Sequence, residues 1–483
     1  MLRLPRTFLT LLAFATIAVA APAVSQVASS VPSSPATSTA ANLSLSAPAV
    51  GSSSAVSTAD VSASDGASTT SAVPAVTQTV APASDNPNTI MWTPDDPPSG
   101  ADATEPYQPI RGSLGSNIIG PQNVPMQQQN ADLLAPPTTD HGTVANFKWP
   151  FSLSHNRIQT GGWARQQNTD VLPAATEMAA VNMRLEKGAI RELHWHKTSE
   201  WAYVLKGSTQ ITAVNAQGQN YMATVNAGDL WYFPPGIPHS LQATGDDDEG
   251  TEFLLVFDDG EFSEDSTFLL TDWLAHVPKE TIAKNFKTDI AAWNNLPGDQ
   301  LYIFPSSPLP EGAKDVVSPQ GTVPEPFSFP LSQVNATQLA GGSVKVVDST
   351  NFKVSTTIAM AEVTVEPGAM RELHWHPTAD EWGEGESRVT VFASSSNART
   401  FNYQAGDISY VPASFGHYVE NVGNTTLRFL EIFNSDRFED VSLNQWLALT
   451  PPELVKAHLG IDDATVAKLT KTKATVIGPS NPS

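Results

Sequence analysis

Cysteine is absent from this 483-residue chain, which excludes disulfides, thiolate metal ligands and a cysteine nucleophile. Stability must then come from a large core, a bound metal or subunit contacts. Cationic residues are few: 26 Lys and Arg stand against 49 Asp and Glu, a formal charge of −23. That balance argues against nucleic acid or an anionic membrane surface as a partner. Long apolar runs are missing too, apart from residues 8–19, a run too short to span a bilayer as a mature helix. It follows Arg3 and Arg6 and precedes Ala18-Val19-Ala20, the charge, apolar and small-residue order of a secretory signal peptide over 1–20. The chain is expected to be secreted, extracellular or cell-wall associated, with no membrane insertion.

Residues 21–85 are almost wholly Ser, Thr, Ala, Val and Pro, with few charges. Such a segment cannot bury enough apolar surface to offset its ordering entropy, so disorder is expected. It is read as a solvated tail, with an O-glycosylated spacer or a cell-wall tether as alternatives. An N-terminal arm over 86–146 should lead into a first folded domain, 147–325, and a second, 326–483. Asn42, Asn335 and Asn424 begin Asn-x-Ser/Thr sequons and are candidate glycan sites.

What the chain does have is a duplication. Arg191-Glu192-Leu193-His194-Trp195-His196 recurs 180 residues on as Arg371-Glu372-Leu373-His374-Trp375-His376. Each run is followed by a glutamate (Glu200, Glu381) and later by a histidine after a Pro-containing turn (His239, His417). On a strand, residues i and i+2 point to the same face, so each His-x-His aims two imidazoles together. Gly161-Gly162 recurs as Gly341-Gly342, Gly228-Asp229 as Gly406-Asp407, and Trp273-Leu274-Ala275 as Trp446-Leu447-Ala448. Short alternating runs broken by Gly, Pro and Asn predict an all-β protein of two tandem barrels or sandwiches, each closed by a few helical turns. Two sets of three histidines and a carboxylate predict two metal sites. Four protein ligands would close off tetrahedral zinc, whereas octahedral manganese or iron would keep two adjacent positions open.

The spacings Gly188, His194-x-His196, Glu200, Gly207 and then Gly228, Pro234-x-Gly236, His239 resemble the two sequence motifs of the cupin superfamily. The second half follows with Gly368, His374-x-His376, Glu381, Gly406, Pro412 and His417. The two halves together resemble the bicupin oxalate decarboxylases of fungi and bacteria. The resemblance covers about 147–450 and implies two tandem cupin barrels (double-stranded β-helix, or jelly-roll) with short helical lids and C-terminal helices. It implies manganese at two sites, held by His194, His196, Glu200 and His239 and by His374, His376, Glu381 and His417. It further implies dioxygen as cofactor, oxalate as substrate, formate and CO2 as products, and a homo-oligomer.

Arg191 and Arg371 lie three residues before their first ligand, so plain strand alternation puts them on the opposite face. The resemblance puts them in the pocket, where a guanidinium would hold a substrate carboxylate. Trp195 and Trp375 read as packing between sheet layers, although the family suggests a part in electron movement. Ser263-Glu264-Asp265-Ser266-Thr267 resembles the decarboxylase lid, which makes Glu264 the general acid/base; Glu431 is its counterpart beside the second pocket. In the second half Glu381 and Gly385 stand four residues apart where Glu200 and Gly207 stand seven, so either the second site is distorted or lost or the sequence is a conceptual translation with a misplaced exon boundary. The rival readings are an oxalate oxidase that yields CO2 and hydrogen peroxide, a metal-free storage or sugar-binding bicupin, and another cupin enzyme such as a dioxygenase or isomerase.

Overall fold

The computed structural model describes residues 116, 118–309, 316–377 and 387–479, together with the backbone of Ile110–Arg111, Leu114–Gly115 and Glu381–Glu384. The expected signal peptide, the 21–85 tail and Asn42 lie outside the described residues. Each half builds two antiparallel sheets. In the first half, one sheet runs Asn220–Asn226, Ser208–Val214, His239–Ala243, Ile190–Trp195, Phe268–Leu269. The other has Leu230–Phe233, Glu200–Lys206, Thr251–Phe257 and Ala179–Leu185 at its centre. The second half repeats the plan, with Met370–Trp375 and Gly416–Glu420 in the sheet that carries its histidines.

Residues of both sheets meet inside each barrel: Val181, Met183, Ala202, Val204, Phe253 and Leu255 face Ile211, Leu241 and Leu269 in the first. The neighbouring positions are buried as well. Trp201, Tyr203, Leu254 and Val256 pack with Met360, Ile408, Tyr410, Leu430 and Ile432 of the second barrel in a core that the barrels share. A strand covered on both faces has no polar side, which is why the stretches 201–205, 230–233 and 253–257 are continuously apolar. Gly188 and Gly368 turn the chain into the histidine strands at φ +76° and +73°, a left-handed conformation that favours glycine.

Two short strands cross the boundary placed between the domains at 325/326. Lys148–Pro150 pairs with Asp407–Val411 of the second barrel, Trp149 opposite Ile408. Ser328–Phe329 pairs with Leu230–Phe233 of the first. An exposed sheet edge seeks hydrogen-bond partners, and here each barrel covers an edge of the other. The buried Lys148 Nζ lies 3.0 Å from Asp407 within this exchange. Helices Leu270–Ala275 and Lys279–Phe286 follow the first barrel, and Leu443–Ala448, Pro452–Leu459 and Asp463–Val466 follow the second.

Candidate active site and metal centres

His194 is the last residue but one of its strand and His239 begins the neighbouring one, and the two are direct cross-strand partners. His196 follows the first strand, and Glu200 opens the next, opposite Phe233 and Phe257. One ligand atom from each of the four residues lies within 4.8 Å of the others, and all four side chains are buried. Each ring is oriented by a backbone carbonyl: Nδ1 of His194 meets Glu192 O at 2.5 Å, Nδ1 of His196 meets Thr198 O at 2.8 Å, and Nδ1 of His239 meets Ile237 O at 2.8 Å. With Nδ1–H donating, each Nε2 turns its lone pair inward, as a metal ligand must. Glu200 Oε2 lies 3.1 Å from His196 Nε2 and 3.3 Å from His239 Nε2, while Oε1 accepts from Trp231 Nε1 at 2.8 Å. Burial, then the Arg191 guanidinium and the neighbouring imidazoles, hold His194 well below its usual pKa and therefore neutral. Burial alone would raise Glu200, but His239 and His196 outweigh it and hold the carboxylate well below the usual range.

Arg191 does not follow plain alternation. Between the pairs His194–His239 and Arg191–Leu241 the ligand strand advances three residues and its partner two. That β-bulge resets the alternation, so Arg191, Glu192 and His194 are all buried while Leu193 is half exposed. Nη2 of Arg191 lies 3.0 Å from Glu264 Oε2, and Nη1 is buried with no hydrogen-bond partner. Glu264 sits in a 3-10 turn, Glu264–Ser266, capped by Ser263, and its N–H donates to Gln166. Its Oε2 also accepts from the Tyr302 hydroxyl at 2.8 Å. Burial, then the Glu264 charge, raise the Tyr302 phenol well above its ordinary pKa, so it remains a donor.

The sequence carried no signal for Tyr302, but it did carry one for the residue that holds it. Glu192, inside the duplicated run, accepts from the N–H groups of Leu301 and Tyr302 on Oε2 and from Thr271 on Oε1. Tyr302 has φ +58°, a conformation that costs a side-chain-bearing residue about 1–2 kcal/mol; these bonds hold it there. The device is duplicated. Thr475 has φ +59° and donates its N–H to Glu372 at 2.8 Å. A threonine therefore stands where the first site presents a phenol.

In the second half, His374, His376 and His417 form the corresponding buried cluster, with Nδ1 of each directed at a backbone carbonyl. His374 Nε2 is buried without a hydrogen-bond partner. The Glu381 backbone lies opposite Val411 and Phe433, the register that Glu200 holds in the first barrel; its side chain lies outside the described residues. The missing residues therefore shorten the strand at the end remote from the histidines, Glu381–Glu384 against Glu200–Lys206. Arg371 is arranged differently from Arg191. Its Nε meets Glu431 at 3.0 Å, Nη2 meets Asp440 at 2.6 Å, and Nη1 reaches Thr475 O at 3.4 Å. Lys473 also contacts Asp440. Every nitrogen of that guanidinium has a protein partner.

Trp195 stacks on Phe268 with centroids 5.5 Å apart and meets Trp273 edge-on; Trp375 meets Trp446. These tryptophans pack against the helices that follow each barrel, not between sheet layers as expected. Asn335 and Asn424 are exposed.

The cupin family model matches residues 152–292 and 330–467. The chain is 55% identical to the oxalate decarboxylase OxdC of Bacillus subtilis over 375 residues, covering 77% of this chain and 96% of that protein. It is 40% identical to a probable oxalate decarboxylase of Arthroderma benhamiae, covering 77% and 93%. A solved structure of the Bacillus subtilis oxalate decarboxylase, described for its Mn(II) centres, superposes with a TM-score of 0.74 at 52% identity, covering 77% of this chain and 99% of that one.

Proposed function

The chain belongs to the cupin family and, within it, to the oxalate decarboxylases, and on that premise we propose that its N-terminal centre converts oxalate to formate and CO2 with manganese and dioxygen as cofactors. The observation that carries the reading is Arg191. A buried guanidinium nitrogen with no partner, beside three convergent imidazoles and a carboxylate, is a place for a small anion. The donor set fits a divalent ion that accepts nitrogen and oxygen and needs no thiolate. His194, His196, Glu200 and His239 would hold manganese, which when bound supplies one-electron chemistry with dioxygen and an anchor for one oxalate carboxylate.

Oxalate monoanion already carries the hydrogen that formate needs, so cleavage of its C–C bond requires no net electrons. Arg191 holds one carboxylate through its open nitrogen. Glu264 accepts the substrate proton and returns it to the formyl carbon, while Tyr302 keeps its carboxylate oriented. The turn over Glu264 excludes water and competing oxidation. The oxidase alternative is the same pocket without a proton donor. Replacing Glu264 with Ala tests the assignment: formate should fall at least a hundredfold and peroxide should rise, and an unchanged formate yield would refute it.

His374, His376, His417 and Glu381 are proposed to hold a second manganese. There Arg371 is committed to Glu431 and Asp440, which supports a stabilising part for that centre and turnover in the first barrel. Export over a cleaved 1–20 leader, glycan attachment at exposed sequons, homo-oligomerisation and wall contact through the tail complete the proposal. The leader's residue order and the tail's composition support export and wall contact, and N-terminal sequencing of secreted protein tests the cleavage.

A further inference from the structure

The turn that carries Glu264 is gripped from outside the pocket as well as from within. Arg157 stands on the edge strand Asn156–Gln159. Its Nη1 lies 3.2 Å from Oδ1 of Asp265, the residue after Glu264. Its Nη2 donates to Gln300 Oε1 at 3.0 Å, two residues before Tyr302. Its guanidinium carbon lies 3.6 Å from the centroid of the Tyr302 ring, and that of Arg191 lies 4.3 Å from the same ring. One side chain outside the metal pocket thus touches the lid, the loop that bears the phenol, and the phenol itself. A cavity of about 340 Å³ opens beside them, lined by Arg157, Glu264, Asp265 and Tyr302 among others.

We propose that Arg157 is a positioning residue that latches the 263–267 lid shut through Asp265, keeping Glu264 in the pocket while the proton is away from the substrate. The inference rests on the decarboxylation reading for its consequence, though not for its geometry. An exposed ion pair by itself contributes little, and the Asp265 side chain is 82% exposed. Arg157 differs from a free surface arginine because Gln300 and the Tyr302 ring already fix its fork, so the lid carboxylate meets a preorganised partner. Asp265, Gln300 and Tyr302, which it touches, are not metal-ligating residues, so its loss should leave the metal site intact. It should enlarge the open-lid population, about fivefold if the pair is worth 1 kcal/mol. An open lid gives the oxidative side path its chance: oxalate surrenders two electrons to dioxygen, both carbons leave as CO2, and the dioxygen takes up two protons to become hydrogen peroxide.

The test uses manganese-loaded Arg157→Gln, Asp265→Asn and the double variant, with amide hydrogen exchange at 263–267 and the formate-to-peroxide ratio as readouts. Each single variant should speed lid exchange about fivefold and raise the peroxide share, at wild-type manganese content and melting temperature. The double variant should go no further than the singles, because both remove the same contact. Arg157→Lys, which keeps the charge, should recover part of the loss. Moderate salt should raise the wild-type peroxide share and leave the variants nearly unmoved. Unchanged exchange and partition in both singles would overturn the latch. So would additive effects, or a fall in manganese content that accounts for the change. If the wild type yields no formate, the decarboxylation reading fails, and hydrogen exchange alone still judges the latch.

Discussion

Arg191 and His194, three residues apart on one strand, turn to the same buried side of the sheet because the strand carries one residue more than its partner between them. The second barrel repeats the irregularity between Arg371 and His374. The bulge brings a guanidinium to the metal ligands without breaking the His-x-His geometry, and it exposes Leu193 and Leu373 instead.

A guanidinium so placed should not be replaceable by an amine. In Arg191→Lys the charge remains but the planar fork is lost, so kcat/KM for oxalate should fall about a hundredfold, equivalent to about 2–3 kcal/mol. Manganese content should hold. Steady-state kinetics with metal analysis checks this; wild-type kinetics would remove Arg191 from the substrate site.

Glu192 accepts four hydrogen bonds from Thr271, Leu301 and Tyr302. Gln would aim an NH2 group at two of those donors. Glu192→Gln should therefore cost about 2–4 kcal/mol in denaturant unfolding and lower formate production as Tyr302 leaves the pocket. Retained stability and activity would show that the left-handed turn holds itself.

The neutral imidazoles set a pH dependence in metal-stripped protein. Burial lowers the pKa of His194 and of His374 in the folded state from an ordinary 6.5. Below 6.5 the unfolded chain binds protons that the folded chain refuses, so stability should fall with falling pH, by about 1.4 kcal/mol per unit for each histidine. Above pH 7 this contribution should be flat. Thermal melts of stripped protein between pH 8 and 5 test the sign.

The saturated Arg371 predicts a division of labour. Arg371→Met leaves Glu431 without its ion partner and weakens the hold on Asp440, both buried. It should cost about 3–5 kcal/mol while formate production per folded molecule stays near wild type. Loss of formate at unchanged stability would make the second centre catalytic.

The metal ligands are legible in the sequence because their geometry is local: i, i+2 on a strand, then a glutamate at the next strand's start. The inward turn of Arg191 is not, since it depends on how the partner strand counts residues. Tyr302 is invisible for a similar reason. It occupies a loop over a hundred residues beyond Glu192, in a backbone conformation that its own residue type does not favour. The exchanged strands Lys148–Pro150 and Ser328–Phe329 are also non-local, chosen by which sheet edge needed covering. Composition alone would read the lid as an acidic surface turn, and that describes Asp265; only the resemblance pointed to Glu264, which the structure buries.

Decarboxylation and oxidation of oxalate differ in their products, which can be counted together. Purified manganese-loaded protein should be given oxalate at mildly acidic pH, with formate and hydrogen peroxide scored together. Nearly one formate should appear for each oxalate consumed, with little peroxide. Peroxide without formate would contradict decarboxylation and make the chain an oxidase.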